Sequence, residues 1–281
     1  MGKVFGGWYY RIQSDNDTLA IIPAYHKNNS KQFCSIQIIT KDKSWNVSFP
    51  YDEFIQEKQQ MKIGSNTFGE TELHLDIKSE NLNAVGNLSF GPLTPIKYDI
   101  MGPFRYVPFM ECRHMIKSMK HTVNGNLRLN QKTYKFQNAL GYIEGDRGRS
   151  FPKRYAWSQC FFPQGSLVLS VAEIPFFLFR FTGVIAVVMW QGMEYRLATY
   201  LGAIAIHIQS GEVTIKQGNW TLSAKLLEQS GKPLLAPVDG DMVRTIHGHV
   251  VCRAAYKFQI NDETVFEFET EQAAFEYEYP F

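Results

Sequence analysis

Along most of this chain hydrophobic and polar residues alternate with a period of two, in short runs separated by turn-forming clusters. Phe33, Ser35, Gln37 and Ile39 interleave with Cys34, Ile36 and Ile38; Leu73, Leu75 and Ile77 share one face; Phe266 and Phe268 alternate with Glu267 and Glu269. That period belongs to strands with one buried and one wet face. It predicts strands over residues 4–13, 18–25, 33–40, 45–49, 71–77, 83–90 and 105–110. A hairpin of 125–129 with 133–139 follows, then strands over 167–174, 176–182, 184–190, 193–208, 213–216, 221–228, 250–259 and 264–269. The cluster Ser14-Asp15-Asn16-Asp17 is a turn, and Pro92, Pro95 and Pro103 break the chain. Residues 52–61 have too few apolar positions for a helical stripe and read as a connection or an irregular strand.

No long amphipathic helix interrupts this pattern, which excludes parallel βαβ folds. Many short strands with turn clusters between them predict an all-β sandwich or barrel. At 281 residues the chain suits one large β domain or two halves. The expected seam lies in 114–124, dividing residues 1–122 from 123–281, although no internal sequence repeat demonstrates a duplication.

Composition changes this picture little. The chain is 44% hydrophobic and 14% aromatic with a net charge of +2, which gives no electrostatic case for a nucleic-acid partner. Charge is uneven, basic from Arg113 to Lys135 and acidic from Asp262 to Glu278. Solvated strand faces explain this; a basic rim held near anionic lipid headgroups is the functional alternative. Cys34, Cys112, Cys160 and Cys252 are far apart and read as reduced, packed thiols. The N-terminal sequence lacks a signal-peptide core, and Gly6 stands where a myristoylation signal wants Ser or Thr after Met1-Gly2, so a cytoplasmic protein is expected, with peripheral membrane contact as the alternative. The apolar run 174–190 contains Pro175, Arg180 and Gly183 and reads as two buried strands rather than a membrane helix.

Chemistry concentrates between Gly141 and Cys160, where Glu144, Asp146, Arg147, Arg149, Lys153, Arg154 and Trp157 crowd together. Gly145 and Gly148 bracket Asp146 and Arg147 and read as a tight irregular turn. Tyr155, Trp157 and Gln159 share one face of the strand that follows. A carboxylate pair here is a candidate acid site or a structural corner, with Asp146 bonding turn amides and Glu144 pairing with Arg147 or Arg149. His114 and His121 near the seam are candidates for proton relay or for plain structural hydrogen bonding. His247 and His249 share a face but have no third ligand nearby, so no metal is expected. Glu194 and Arg196 read as an ion pair on one face.

This segment resembles the tocopherol cyclase family. The family's pattern is a Tyr-x-Glu-Lys-Asp/Asn-Trp-Gly turn, then Ser/Gly-Phe-Pro and a Trp-x-Trp-x-Gln strand. Tyr142, Glu144, Asp146, Gly148, Phe151, Pro152, Trp157 and Gln159 match it, whereas Gly145 and Arg147 replace lysine and tryptophan. Further matches run in order along the chain: GWYY from Gly7, VPFMECRH from Val107, FTGVIAVV from Phe181, EYRLATY from Glu194 and APVDGDMVR near the end. The resemblance implies two lipocalin-like antiparallel β-barrel or sandwich halves, as in carotenoid hydratases and AttH-like proteins. It also implies an isomerase that closes a chromanol ring on a prenylated quinol or related isoprenoid, with no cofactor.

That reaction needs a carboxylic acid that keeps its proton, which burial favours, and aromatic faces beside the carbocation. Catalytic candidates are Asp146, Glu144, Glu111 and His114; substrate-facing candidates are Trp8, Tyr10, Tyr142, Arg147, Trp157 and Gln159. Core packing is the other reading of Trp8 and Tyr10. A guanidinium beside a carboxyl favours its ionised form, so Arg147 next to Asp146 counts against a proton donor there. A carrier for a hydrophobic isoprenoid or lipid is the alternative function, because barrels of this size commonly hold one small ligand.

Overall fold

The computed structural model describes residues 3–108, 110–176, 179–228 and 232–280. Met1, Gly2, Phe109, Gly231 and residues 177–178 of the predicted strand 176–182 lie outside them. Among the described residues the chain forms strands and three short 3₁₀ turns, with no α-helix. No helix there is long and apolar enough to cross a membrane.

The first sheet contains β1 (Val4–Gln13), β2 (Thr18–Lys27), β3 (Gln32–Thr40), β4 (Ser44–Pro50), β5 (Phe54–Gln56), β6 (Gln60–Ile63), β7 (Asn66–Gly69), β8 (Glu72–Lys78), β9 (Asn83–Phe90), β10 (Cys112–Leu129) and β11 (Lys132–Gly148). Their order is β4-β3-β2-β1-β11-β10-β9-β8-β7-β6-β5, a meander whose first and last strands pair. It is a nearly closed barrel, and the break falls between β4 and β5, at the 3₁₀ turn Tyr51–Glu53.

The second sheet contains β12 (Tyr155–Phe162), β13 (Gly165–Phe176), β14 (Phe179–Trp190), β15 (Met193–Ala198), β16 (Ile204–Gln209), β17 (Glu212–Gln217), β18 (Trp220–Leu226), β19 (Lys232–Val238), β20 (Asp241–Ile260) and β21 (Glu263–Tyr277). Its order, β15-β14-β13-β12-β21-β20-β18-β17-β16 with β19 added to β20, repeats the same plan. The first strand again pairs with the last, and the break again follows the fourth strand, at the 3₁₀ turn Thr199–Leu201. This is the all-β, two-half lipocalin-like fold. The duplication is legible in topology, where the sequence showed none.

Each sheet closes around its own core. In the first, Tyr10 and Ile12 of β1, Leu19 and Ile21 of β2, Ile36 and Ile38 of β3, Leu127 and Leu129 of β10 and Ile143 of β11 are all buried in one cluster. In the second, Leu167 and Leu169, Val184 and Val188, Tyr256 and Phe258, and Phe275 do the same. Each such side chain contributes on the order of 1.5–3 kcal/mol of burial.

Several expectations are corrected. Two compact units divide the chain, Met1–Ile96 with His114–Ser150 and Pro237–Val243, and Lys97–Arg113 with Phe151–Ala236 and Arg244–Phe281. The boundary expected between 122 and 123 lies inside β10, because Met119, His121, Val123, Leu127 and Leu129 keep one buried face through the supposed seam. Residues 102–106 make a 3₁₀ turn where a strand was expected over 105–110, with Pro103 in the first turn, where its fixed φ suits a helical start. Gly183 does not end a strand: it pairs with Ala172 inside the β13–β14 hairpin. The stretch 193–208 is cut by Gly202 at φ 88°. Residues 232–238, which the alternation assigned to no strand, form one that pairs with β20.

The tight turn expected at Gly145 and Gly148 is strand. β11 runs to Gly148, with Gly145 opposite Trp8 and Gly148 opposite Phe5 of β1. Glycine serves close approach here: a Cβ on Gly145 would stand 2.6 Å from Trp8 Cε3 and 2.9 Å from the Gly7 carbonyl oxygen. True turns use positive φ elsewhere, as at Gln191-Gly192 (48° and 78°) and Ser210-Gly211 (52° and 77°), the backbone that two-residue hairpins require.

Two buried histidines stay neutral. His26 Nε2 lies 3.0 Å from Ser35 Oγ, and His121 Nδ1 lies 3.0 Å from Ser118 Oγ with its ring against the Phe90 edge. Burial pushes both down to about 4, for His26 against a smaller opposing pull from Asp241. His121 is thus a packed structural histidine.

Two outcomes are expected. Gly145→Ala will destabilise the protein by about 1–3 kcal/mol through overpacking against Trp8 and the Gly7 backbone, read as a lower urea midpoint at unchanged slope. Because His26 and His121 titrate lower folded than in the free chain, stability will fall as pH drops from 6.5 towards 4. The loss approaches roughly 3 kcal/mol per histidine. Replacing either with glutamine will flatten that slope; an unchanged slope would show that neither is buried in neutral form.

Candidate active site

Residues two apart on a strand share a face. On β11 this sends Gly141, Ile143, Gly145 and Arg147 to one side and Tyr142, Glu144 and Asp146 to the other. Ile143 belongs to the packed core of the first barrel, so the carboxylates point away from the barrel interior. The register with β1 sets Tyr9 opposite Glu144 and Arg11 opposite Tyr142 on that outward face. Outward does not mean wet: Tyr142 and Arg11 are fully buried, and Glu144 is 5% exposed.

Near the start of the neighbouring strand β10, His114 enters between the two carboxylates. Its Nδ1 lies 3.1 Å from Asp146 Oδ1, and its Nε2 lies 3.2 Å from Glu144 Oε2, in ion-pair range although not aligned as a hydrogen bond. The Tyr142 hydroxyl donates to the same Glu144 Oε2 at 2.6 Å. Burial alone would push the His114 imidazole down, but the Glu144 and Asp146 carboxylates outweigh it and hold it well above its ordinary value. His114 is therefore an imidazolium at neutral pH. Burial, then the Glu144 charge, raises the Tyr142 phenol, which stays a neutral donor.

The donor atoms of His114, Glu144 and Asp146 lie within 4.8 Å of one another, as metal ligands can. Here Asp146 faces Nδ1 and Glu144 faces Nε2, so the imidazole ring itself stands between the two carboxylates.

The other sequence candidates are distributed as follows. Glu111 is not in this cluster and belongs to the second compact unit. Arg147 is exposed, on the opposite side of the strand from Asp146, where its charge acts on Tyr25. The antagonism expected between Arg147 and the acid is removed by alternation. Trp8 and Tyr10 lie on the core side; Tyr10 is stacked on Phe90 at 5.9 Å, and Trp8 has Lys117 over its ring at 5.3 Å. Trp157 and Gln159 are buried on β12, on the side away from the second core to which Ala156 and Cys160 belong.

Glu144 was expected to pair with Arg147 or Arg149; its close partners are His114 and Tyr142. Tyr9 and Arg11 were missed. Alternation placed them on one face, but only the β1–β11 register shows which residues they meet. The sequence reading also missed Glu276, on the acidic final strand, which accepts a hydrogen bond from the Tyr155 hydroxyl at 2.5 Å. The Glu194–Arg196 pair is real and buried: Arg196 also donates to the Tyr98 and Asp99 carbonyls and pins them to β15.

These features define a class, an all-β protein of two barrel-like sheets with a histidine–dicarboxylate set, centred on the buried Glu144, on the closing hairpin of the first. The chain belongs to the tocopherol cyclase-like family, whose signature matches residues 85–277, the site included. Solved structures share the fold. Kievitone hydratase from Nectria haematococca superposes with a TM-score of 0.57 at 12% identity, covering 98% of this chain and 89% of that one. A putative AttH protein from Nitrosomonas europaea gives 0.55 at 9%, covering 99% and 93%. CghA in complex with Sch210972 gives 0.61 at 8%, covering 98% and 88%. No curated protein matches the sequence.

The raised His114 predicts a pH signature. Its folded form holds the proton more tightly than the free chain, so the resulting stability is present below about pH 6.5 and is lost as pH rises through the higher folded value. Urea unfolding of wild type and His114→Gln at pH 6 and pH 9.5 will show the larger gap at pH 6. A gap that grows with pH would mean that the ring is neutral when folded.

Proposed function

We propose that the protein is an acid-type cyclase of the tocopherol cyclase kind, acting on a prenylated quinol or related isoprenoid. The observation that supports it is the Glu144–His114–Asp146 set, in which Glu144 is buried and Tyr142 holds its carboxyl in place. A proton held in this set passes to the less substituted carbon of a trisubstituted alkene and leaves a tertiary cation. The phenol oxygen of the same substrate attacks that cation and forms the ring ether. Its proton returns to the set. Atoms and charge balance, so the step is an isomerisation that uses no cofactor, with protein groups as general acid and then base.

Each group has a part that its position supports. Glu144, the less exposed of the two carboxylates, takes the proton of the His114 imidazolium and delivers it to substrate; Asp146 holds the ring from its other side; Tyr142 fixes the carboxyl rotamer. Tyr9, opposite Glu144, offers an aromatic face on the same side of the sheet, a contribution of about 1–2 kcal/mol to a cation when water is excluded. Hydration of an isoprenoid alkene would use the same protonation with water as nucleophile, which fits the name of the kievitone hydratase relative.

Purified protein incubated with a prenyl-quinol will release a chromanol of identical mass. Glu144→Gln cannot carry the transferred proton and will reduce turnover about a hundredfold or more, and Asp146→Asn will reduce it less, with substrate binding kept in both. Binding without turnover in wild type would instead make the protein a carrier. Neither binding nor turnover would remove the proposal, and unchanged turnover in both variants would remove the acid assignment.

A further inference from the structure

The end of the β1–β11 pair that carries Asp146 is its weak end. The last three cross-strand pairs are Gly7 with Asp146, Gly6 with Arg147 and Phe5 with Gly148, so each contains a glycine. Side-chain contact across the strands stabilises such pairs, and glycine supplies none while losing the most backbone freedom on pairing. Left to itself this end would fray. Asp146 nevertheless meets His114 at 3.1 Å, a contact that needs the backbone beneath it to be fixed.

A segment far away in sequence fixes it. Residues Pro237–Val243 belong to the first compact unit. At their centre Asp239 and Gly240 have φ of 51° and 76°, the backbone of a two-residue turn between β19 and β20. The tip of this turn lies across the ends of three strands. The Gly240 N–H donates to the Arg149 carbonyl at 2.8 Å, one residue beyond β11, and the Asp239 N–H donates to Ser150 Oγ at 2.8 Å. A Cβ on Gly240 would collide with the Lys27 carbonyl oxygen at the end of β2 and stand 2.9 Å from the Val4 nitrogen at the start of β1. Asp239 pairs with Lys3 at 2.7 Å, and Asp241 pairs with Lys31 at 3.0 Å. An Asp-Gly pair suits any tight hairpin, but none of these contacts is needed to make one.

We propose that the Asp239-Gly240 turn is a clamp that positions Asp146 against His114 by holding the ends of β1, β2 and β11 together. Asp239 and Gly240 are positioning residues, which act on the site through Arg149 and Ser150. The clamp stands on these contacts; its effect on turnover rests on the reaction proposed above.

The test compares the full wild-type chain with two variants. Gly240→Ala forces the tip off the Lys27 carbonyl, and Asp239→Asn/Asp241→Asn removes both ion pairs while keeping the side-chain shapes. Glu57→Gln, which breaks the exposed Lys62–Glu57 pair of the same unit, is the control. In Gly240→Ala, backbone amide exchange over 145–148 will rise about tenfold or more, with 19–21 unchanged. The His114 ring, followed by NMR, will release its proton at lower pH than in wild type, because Asp146 is one of the two carboxylates that hold that proton. The double variant will move both readings the same way and less, since exposed ion pairs contribute little; the control will move neither. Should Gly240→Ala fail to fold, the double variant decides. Exchange that rises evenly over the whole sheet, or a His114 titration that matches wild type, overturns the clamp, because a turn that only adds stability would leave the ring alone. Under the proposed reaction kcat will fall with KM kept. If wild type shows no turnover while the His114 titration moves, the reaction falls and the clamp stands. If wild type turns over and kcat is unchanged in Gly240→Ala, the clamp falls and the reaction stands.

Discussion

The pairing of β1 with β11 is the constraint on which the first unit rests. It joins the earliest strand of the sheet to the latest and so closes the meander. It also fixes, residue by residue, what faces inward. Trp8 lies over Gly145 and Tyr10 pairs with Ile143 on the core side, which leaves Tyr9, Arg11, Tyr142, Glu144 and Asp146 on the other. A slip of one residue would send both carboxylates into the hydrophobic core and expose Ile143. The closeness of Trp8 to Gly145 opposes such a slip, because only glycine leaves room for the indole at that level.

Burying charge on the outward face has a large desolvation cost, and the structure offsets it by grouping opposite charges. An imidazolium between two carboxylates leaves one net negative charge where three separate ions would each have to be solvated. The neutral Tyr142 hydroxyl satisfies a further lone pair on Glu144. Moving a proton from His114 to one carboxylate would leave the net charge of the set unchanged, the property that the proposed function uses.

The second sheet repeats the plan of the first, with the same closure of first on last strand and the same break after the fourth. The corresponding outward position carries a different set, Tyr155 donating to Glu276, with Arg244 bound to the nearby Glu278. The histidine–dicarboxylate cluster occurs on the first sheet. A shared topology has therefore been given different chemistry, as expected when function lies in a few side chains placed on a tolerant scaffold.

Local pattern in the chain was enough to establish that it is all-β and that 4–13 and 83–90 are strands, and it singled out Glu144 and Asp146 as a carboxylate pair. Period-two alternation is a property of a strand by itself. The same pattern could not say which face is inside, and it took Gly145 and Gly148 for a turn because a glycine needed for close approach and one needed for positive φ look alike in sequence. Nor could it bring His114 between residues thirty or more positions away, place Arg11 against Tyr142, or put Trp8 and Tyr10 behind the sheet from the acids. Those outcomes depend on the register between strands distant in sequence, which is set by the mutual packing of whole sheets and was decided only by the tertiary structure.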